Sequence, residues 1–565
     1  MTTKIHISSG WLYEPVFPDY RDWPIYQMAR HQQEFIKKVR EQSLESIDEL
    51  TKGNAGNIED ELAKTLYLER IRMKQTPWKA DKPDERSFWS GVKKKMLRVN
   101  GEEAEAAEQY RKILAKIVDR YAWEIAGKFE INTYNFAKDI TTAGFARLLN
   151  ASQGKGISRF WSTRHNLHEK IRLQGEIEQV RELSKIGTIV MVPTHFSNID
   201  SLLIGWAIQS VGLPPFVYGA GLNLFGIRML AYFMSRLGAY KVDRRKKNLP
   251  YLETLKTYST LALTNGCNSL FFPGGTRSRS GALESKLKLG LLGTALEAQR
   301  LNYFHRGDQG KKIFVVPVVF GYNFVLEAPG LIDEYLKRAG QQLYYRENDD
   351  YSTSYKLLKF ILKFFTASSE ISVSFGRCMD LFGNEVDKDG RSLAKDGREV
   401  DIKKYFYSNG QITTDRQRDS EYTIMLGDEI VKRFHQENIV FSSHLVAFAA
   451  FEIIKKRYPK MDVYALLRLP EEDERINYSE FAEVVGRLRE ILVEMKNNGK
   501  VKLHENVKAG PAEEIIQVGI KNLGIYHAKR PLFHDKKENE IGSADFNLLY
   551  YYHNRLEGYG LEKYV

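Results

Sequence analysis

A histidine and an aspartate five positions apart, His195 and Asp200, stand at the exit of an apolar run, Thr188-Ile189-Val190-Met191-Val192-Pro193. The run reads as a buried strand. Neutral imidazole takes a proton near pH 7, and a carboxylate can hold its tautomer, so the pair suits general-base chemistry. The spacing limits the geometry. On one continuous helix, residues five apart lie about 140° apart, because each residue turns about 100°. The two side chains meet only if the chain turns between them. Asn198 or Asp200, capping a helix that starts at Ser201, would supply that turn. Taken alone, the pair fits a structural hydrogen bond as well as a catalytic one.

Three later stretches carry further chemistry. Gly238-Ala239-Tyr240-Lys241-Val242-Asp243-Arg244 ends in a cation, and Phe271-Phe272-Pro273-Gly274-Gly275-Thr276-Arg277-Ser278-Arg279 holds a glycine turn followed by two more. Val315-Val316-Pro317-Val318-Val319-Phe320-Gly321-Tyr322 is a second long apolar run. A phosphate needs fixed positive charge, which arginine offers in bidentate form. The backbone amides of a glycine turn can face the same anion. Cys267 opens a candidate buried strand, which favours an inert thiol over a nucleophile. No GxSxG elbow is present to suggest an acyl-enzyme.

Together and in this order the four stretches resemble the four blocks of the glycerolipid acyltransferase family, in particular its large glycerol-3-phosphate and dihydroxyacetone-phosphate acyltransferases. Tyr218-Gly219-Ala220-Gly221-Leu222-Asn223-Leu224-Phe225 resembles the segment before their second block. Gly321 to Glu327 resembles an extension of the fourth, and Leu548 to Asn554 a terminal motif. The likeness is clear over 170–380. It implies direct acyl transfer from a thioester, acyl-CoA or acyl carrier protein, with no cofactor and no metal. His195 would be the base and Asp200 its orienting partner. Arg277 would hold the acceptor phosphate within the turn at Gly275, with Arg244, Arg279 and Lys288 as further substrate-binding cations. Pro317 would shape a strand end near the site. Glycerol 3-phosphate is the acceptor implied, in phospholipid biosynthesis. Dihydroxyacetone phosphate, 1-acylglycerol 3-phosphate and a non-catalytic, membrane-associated member of the fold are the alternatives. One departure stands out. Gly274 occupies a position where most of the family has glutamate, and Asp243 or Glu284 is the candidate replacement.

The chain has 565 residues, 43% of them hydrophobic, with a net charge of +12 and two cysteines. That length supports several domains and a large core. The charge fits anionic lipid or phosphorylated small molecules. No signature of nucleic-acid recognition accompanies it, so nucleic acid is not an expected partner. Two cysteines exclude a disulfide scaffold and point to a reducing compartment. The first residues lack the apolar core of a signal peptide. The uncharged stretch 201–227 is long enough to span a bilayer but is broken by Pro214-Pro215 and by Gly212, Gly219, Gly221 and Gly226. It reads instead as helix, turn, strand and loop beside the site, a wall suited to an acyl groove or to the core. With Lys93-Lys94-Lys95 and Arg98 as a basic patch, this suggests a peripheral protein on the cytoplasmic face of an anionic membrane.

Three regions are expected: a helical N-terminal region over 1–165, an α/β catalytic domain over 166–385 and a mostly helical C-terminal region over 386–565. The middle region alternates candidate strands (Thr188–Pro193, Cys267–Pro273, Lys312–Phe320, Glu370–Phe375) with candidate helices (Ser201–Val211, Met229–Leu237, Tyr251–Asn265, Leu287–Arg300). Alternation of this kind predicts a mostly parallel sheet flanked by helices, with active groups gathered at strand ends. Asn348-Asp349-Asp350 and Val386 to Lys395 read as loops.

Overall fold

Apolar runs that are hydrophobic at every position can be satisfied only where both faces of a strand are covered, and that is where they lie. A computed structural model describes residues 13–52, 55–78, 80–139, 171–222, 225, 228–340, 370–524 and 527–565. The middle region runs β1 (Ile171–Gly175), α1 (Ile177–Ile186), β2 (Gly187–Pro193), α2 (Asp200–Ser210), β3 (Val217–Gly221), α3 (Arg228–Arg236) and β4 (Ala239–Val242). It continues through α4 (Leu249–Thr264), β5 (Ser269–Leu270), α5 (Gly290–Arg306), β6 (Lys312–Tyr322), α6 (Ala328–Gly340) and β7 (Ile371–Phe375). The strands form one seven-stranded sheet in the order β1-β7-β6-β2-β5-β3-β4. All neighbours are parallel except β6 and β7. The carboxyl ends of β2, β3, β4, β5 and β6 therefore share one edge, and the four chemical stretches leave the sheet there.

The expected mostly parallel α/β layer is borne out, with shifts of a few residues at most helix ends. The strand expected over Cys267–Pro273 is paired only at Ser269–Leu270. On its N-terminal side the Asn268 side chain replaces a ladder bond, accepting from the Ile189 N–H at 2.8 Å. On the other side the chain leaves the sheet to form the glycine turn. Cys267 is fully buried, and burial pushes its thiol up to about 12, which bears out the inert reading. The uncharged stretch 201–227 divides as expected into helix, turn and strand. Its Leu203, Ile204, Trp206 and Ala207 are buried in the core, whereas Leu202 of the same helix is exposed. Val386 to Lys395 is a hairpin rather than a plain loop, pairing Glu385–Val386 with Ser392–Leu393. Asn348 to Asp350 lies outside the described residues, as does the boundary expected at 165.

Pro317 is not at a strand end. It lies inside β6, opposite Val192, and β6 runs on to Tyr322. On its other side the β7 ladder begins only at Val318↔Phe375, and a bridge at Val315↔Met379 follows an interruption. A residue without an N–H is tolerated at that interruption.

Before the sheet, helices such as Gln32–Thr51, Ala55–Gln75, Glu85–Met96 and Glu103–Ile125 pack into their own apolar core, which reaches the sheet at Val217 and Tyr240. Residues 131–139 are helical. After the sheet come Arg416–Glu437, Ser442–Arg457, Tyr478–Asn497, Ala512–Gly524 and Phe546–His553. Their apolar residues share one continuous core with the sheet.

A buried ion network docks the N-terminal helices on the loop after β4. Arg72, 2% exposed, donates to Glu69 (2.7 Å), Glu85 (2.6 Å) and Asp81 (3.1 Å). Asp81 also accepts from Arg245, which bonds Asp243, and Lys246 reaches Glu124 at 2.6 Å. Removing one partner of a buried ion pair costs about 3–5 kcal/mol, because the other charge stays behind. Arg72→Ala is therefore expected to lower the melting temperature in calorimetry, and an unchanged temperature would show that the network carries no stability.

Candidate active site

The turn after β2 is built around Asp200, which is fully buried. Its Oδ2 accepts the His195 Nδ1–H at 2.9 Å and the backbone N–H groups of Phe196 and Ser197 at 2.7 and 2.9 Å. Its Oδ1 accepts the Tyr322 hydroxyl from the end of β6. Asp200 is thus the first residue of α2 rather than a cap on it. It reaches backward and makes the turn that the spacing requires. A carboxylate accepting on Nδ1 leaves Nε2 as the basic nitrogen of His195. The His195 ring stacks on Phe272, with centroids 4.2 Å apart, and its side chain is 17% exposed and so reachable.

The third stretch wraps the same histidine. The Ser278 N–H donates to the His195 carbonyl at 2.7 Å. Gly275 has φ +77°, a conformation that suits glycine, and a Cβ there would lie 2.7 Å from Lys288 Cδ. The Gly275 carbonyl accepts from the Arg244 guanidinium. Lys288 and Arg244 therefore meet at one turn, and neither pairs with a carboxylate among the described residues. Arg277 Nη1 lies 3.6 Å from Glu327 Oε1. Arg279 is drawn aside, its Nε donating to Glu334 of α6 at 2.9 Å and its Nη1 to Thr276 Oγ1 at 3.2 Å. So Arg244, Gly275, Arg277 and Lys288 lie on or against the turn that leads to Ser278 and its bond to the His195 carbonyl. Arg279 turns toward α6, and Pro317 stays in the sheet.

Other residues of the site carry little or no sequence signal. Glu327 Oε1 accepts the Asn198 N–H at 2.8 Å, and its Oε2 accepts the Ser197 hydroxyl at 3.1 Å. It thereby ties the histidine turn to Arg277, and burial raises its pKa. Glu284 Oε1 accepts the N–H of His195 itself at 2.9 Å. Of the two acids considered as partners for this loop, Glu284 is the one in contact with it. Asp243 is engaged by Arg245. From the far end of the chain, Arg555 lies over the Phe196 ring at 4.0 Å and donates to the Asn438 side chain at 2.8 Å. Burial lowers the pKa of its guanidinium to about 10. Asn554 bonds the Ser280 carbonyl at 2.9 Å, and the Tyr551 carbonyl approaches Gly281 so closely that a Cβ would sit 2.1 Å from it. The terminal aromatic motif is thus a floor beneath the site. Only its likeness to a family motif pointed to it.

The buried Asp200 carboxylate, the imidazole it holds through Nδ1 and the glycine turn with its cations all lie at the carboxyl edge of a mostly parallel sheet. Residues 173–321 match the family model described as Acyltransferase, so this segment is an acyltransferase domain. Among curated proteins the chain is similar to the glycerol-3-phosphate acyltransferase of Pseudomonas aeruginosa, 30% identical over 234 residues, which is 41% of this chain and 25% of that protein. It is 34% identical to that of Histophilus somni over 175 residues, 31% of this chain and 20% of the relative. The enzyme of Pseudomonas syringae is 30% identical over 179 residues, 32% and 20% of the two chains. The chain thus spans about a quarter or less of the length of these relatives. The resemblance of the four blocks to glycerolipid acyltransferases is borne out over this segment.

Burial pushes the Glu284 carboxyl up to about 7, against about 4.3 for an unstructured glutamate. Between those values the folded state binds more protons than the unfolded one, so this group makes stability fall as pH rises from about 4.3 to 7. Glu284→Gln keeps an acceptor for the His195 N–H and has no charge to bury. Its melting temperature is expected to drop less than that of the wild type between pH 5 and pH 8. An equal drop in both proteins would remove Glu284 from this linkage.

Proposed function

We propose that this protein transfers a fatty acyl group from a thioester, acyl-CoA or acyl carrier protein, to the hydroxyl of glycerol 3-phosphate, as a step of phospholipid biosynthesis. The observation that carries the reading is the Asp200–His195 pair with its free Nε2 next to a cationic turn. In this reading His195 Nε2 takes the hydroxyl proton as the oxygen attacks the thioester carbonyl. The tetrahedral adduct then collapses, the C–S bond breaks, and the imidazolium returns the proton to the departing thiolate. Asp200 keeps Nδ1 protonated and stabilises the imidazolium as it forms. Arg277, Arg244 and Lys288 hold the phosphate, with Glu327 keeping Arg277 oriented until the anion arrives. The curated relatives named glycerol-3-phosphate acyltransferase support this acceptor.

A panel assay pairing acyl-CoA and acyl carrier protein with glycerol 3-phosphate, dihydroxyacetone phosphate and 1-acylglycerol 3-phosphate tests the reading. His195→Ala is expected to cut turnover about 10²–10⁴-fold, and Asp200→Asn comparably. Near-normal transfer by His195→Ala would sink the mechanism. Arg277→Ala is expected to raise KM for the phosphorylated acceptor about ten- to a hundredfold, the scale of a lost charge-assisted hydrogen bond, with little change for the donor. A change confined to the donor would assign Arg277 to the other pocket.

We further propose that the protein works at an anionic membrane surface as a peripheral protein of the cytoplasmic face. No helix among the described residues is long and apolar enough to cross a membrane. Lys93, Lys94, Lys95 and Arg98 are exposed around Leu97, which is 75% exposed, and such a cluster adds about 1 kcal/mol per cation near anionic lipid. On α3, Tyr232 is exposed, and Phe233 stacks on the exposed Phe136. Flotation with vesicles containing anionic lipid is expected to capture the protein at low salt and release part of it at high salt. No capture at low salt would overturn the membrane reading.

A further inference from the structure

We propose that Glu284 is a positioning residue for His195, delivered to the space that a side chain on residue 274 would otherwise fill. The inference rests on the acyl-transfer reading of the site. Its first support is the backbone. Gly275 has a left-handed φ, whereas Gly274 is absent from the positive-φ residues. No left-handed φ therefore calls for a glycine at 274. The reason is spatial. A Cβ built on Gly274 lies 2.9 Å from Glu284 Cγ and 3.2 Å from its Oε1. Real Cβ atoms do not approach a carbon so closely, so the missing side chain makes room for the glutamate.

What enters that room is connected to the base. Glu284 Oε1 accepts the His195 N–H at 2.9 Å. Next to this bond, the His195 carbonyl accepts from Ser278. The peptide on each side of the base is therefore held by the segment 278–284, one bond from backbone and one from a carboxylate. Both bonds fix where the imidazole stands between Asp200 and Phe272. Glu284 Oε2 is buried without a protein partner among the described residues. An unpaired buried oxygen is costly, and a role in the site is one reason for keeping it. The charged groups acting on Glu284 are Arg555, which favours its ionisation, and Asp200, which opposes it; burial outweighs both. A glutamate from residue 274 would reach the same volume from the other side. The chain thus carries in position 284, ten residues downstream, the carboxylate that its glycine turn lacks.

The test is a double-substitution cycle on the full chain, with Gly274→Glu, Glu284→Ala and the pair G274E/E284A. Glu284→Ala is expected to lower kcat about ten- to a hundredfold while leaving KM for the acyl donor little changed, the scale of one buried hydrogen bond at the base. Gly274→Glu alone is expected to lower both kcat and melting temperature, because two side chains compete for one space. The pair is expected to recover much of both losses, which additive effects cannot do. A pair whose losses equal or exceed the sum of the singles, or a Glu284→Ala variant with wild-type kcat, overturns the proposal. Two readouts do not depend on activity. In the melting cycle the pair should again be non-additive, and the His195 imidazole resonance followed by NMR should shift in Glu284→Ala and return in the pair. If the wild-type chain transfers no acyl group, the functional reading fails on its own. Additive melting, or a His195 resonance unmoved by Glu284→Ala, then overturns the positioning role separately.

Discussion

The carboxylate of Asp200 is out of reach of water and accepts four hydrogen bonds, from an imidazole, two backbone amides and a phenol. A buried charge is tolerated only when it is satisfied in this way. The four donors come from two places in the chain, so the arrangement exists only when the ends of β2 and β6 lie side by side. The parallel register of these strands, Val192 opposite Pro317 and Pro193 opposite Val318, puts them there. The site is thus coupled to the folding of the sheet, because its central hydrogen bonds cannot form before the strands pair.

Around this centre the molecule repeats one device, a buried or half-buried acid that ties a loop to its neighbour. Glu327 ties the loop after β6 to the histidine turn. Glu284 ties the third stretch to it. Asp81 and Asp243 share Arg245 and tie the N-terminal helices to the loop after β4. Loops at strand ends have few backbone partners of their own, and side-chain carboxylates supply what a ladder would. Two cations, Arg244 and Lys288, are left facing the turn at Gly275 without a carboxylate among the described residues. In the proposed reading these two cations are available to the acceptor phosphate, while the acids of the site hold loops together.

The C-terminal region completes the site from below rather than standing apart from it. Arg555 has an aromatic face and neutral acceptors as its contacts. Its charge interacts with those of Glu284 and Asp200. Because the terminal helix and the sheet share one apolar core, the floor of the site is as fixed as the sheet itself.

The sequence by itself determined the class of fold and named the candidate site residues. Short apolar runs without alternation read as strands covered on both faces, and their alternation with helical segments favours a mostly parallel sheet as the consistent layer. His195 and Asp200 were legible because their spacing demanded a turn at a strand exit. Arg244, Gly275, Arg277 and Lys288 were legible from charge beside glycine and from the likeness to the acyltransferase blocks. Only the tertiary structure decided the rest. It withdrew Arg279 toward Glu334, placed Pro317 inside β6, and brought Tyr322, Glu327 and Arg555 to a histidine more than a hundred residues away in the chain. It also chose Glu284 over Asp243 as the acid beside Gly274. The reason is the same each time. Periodicity and spacing report what a residue does with its near neighbours, whereas the partner of a buried charge is chosen by which strand ends the sheet brings together.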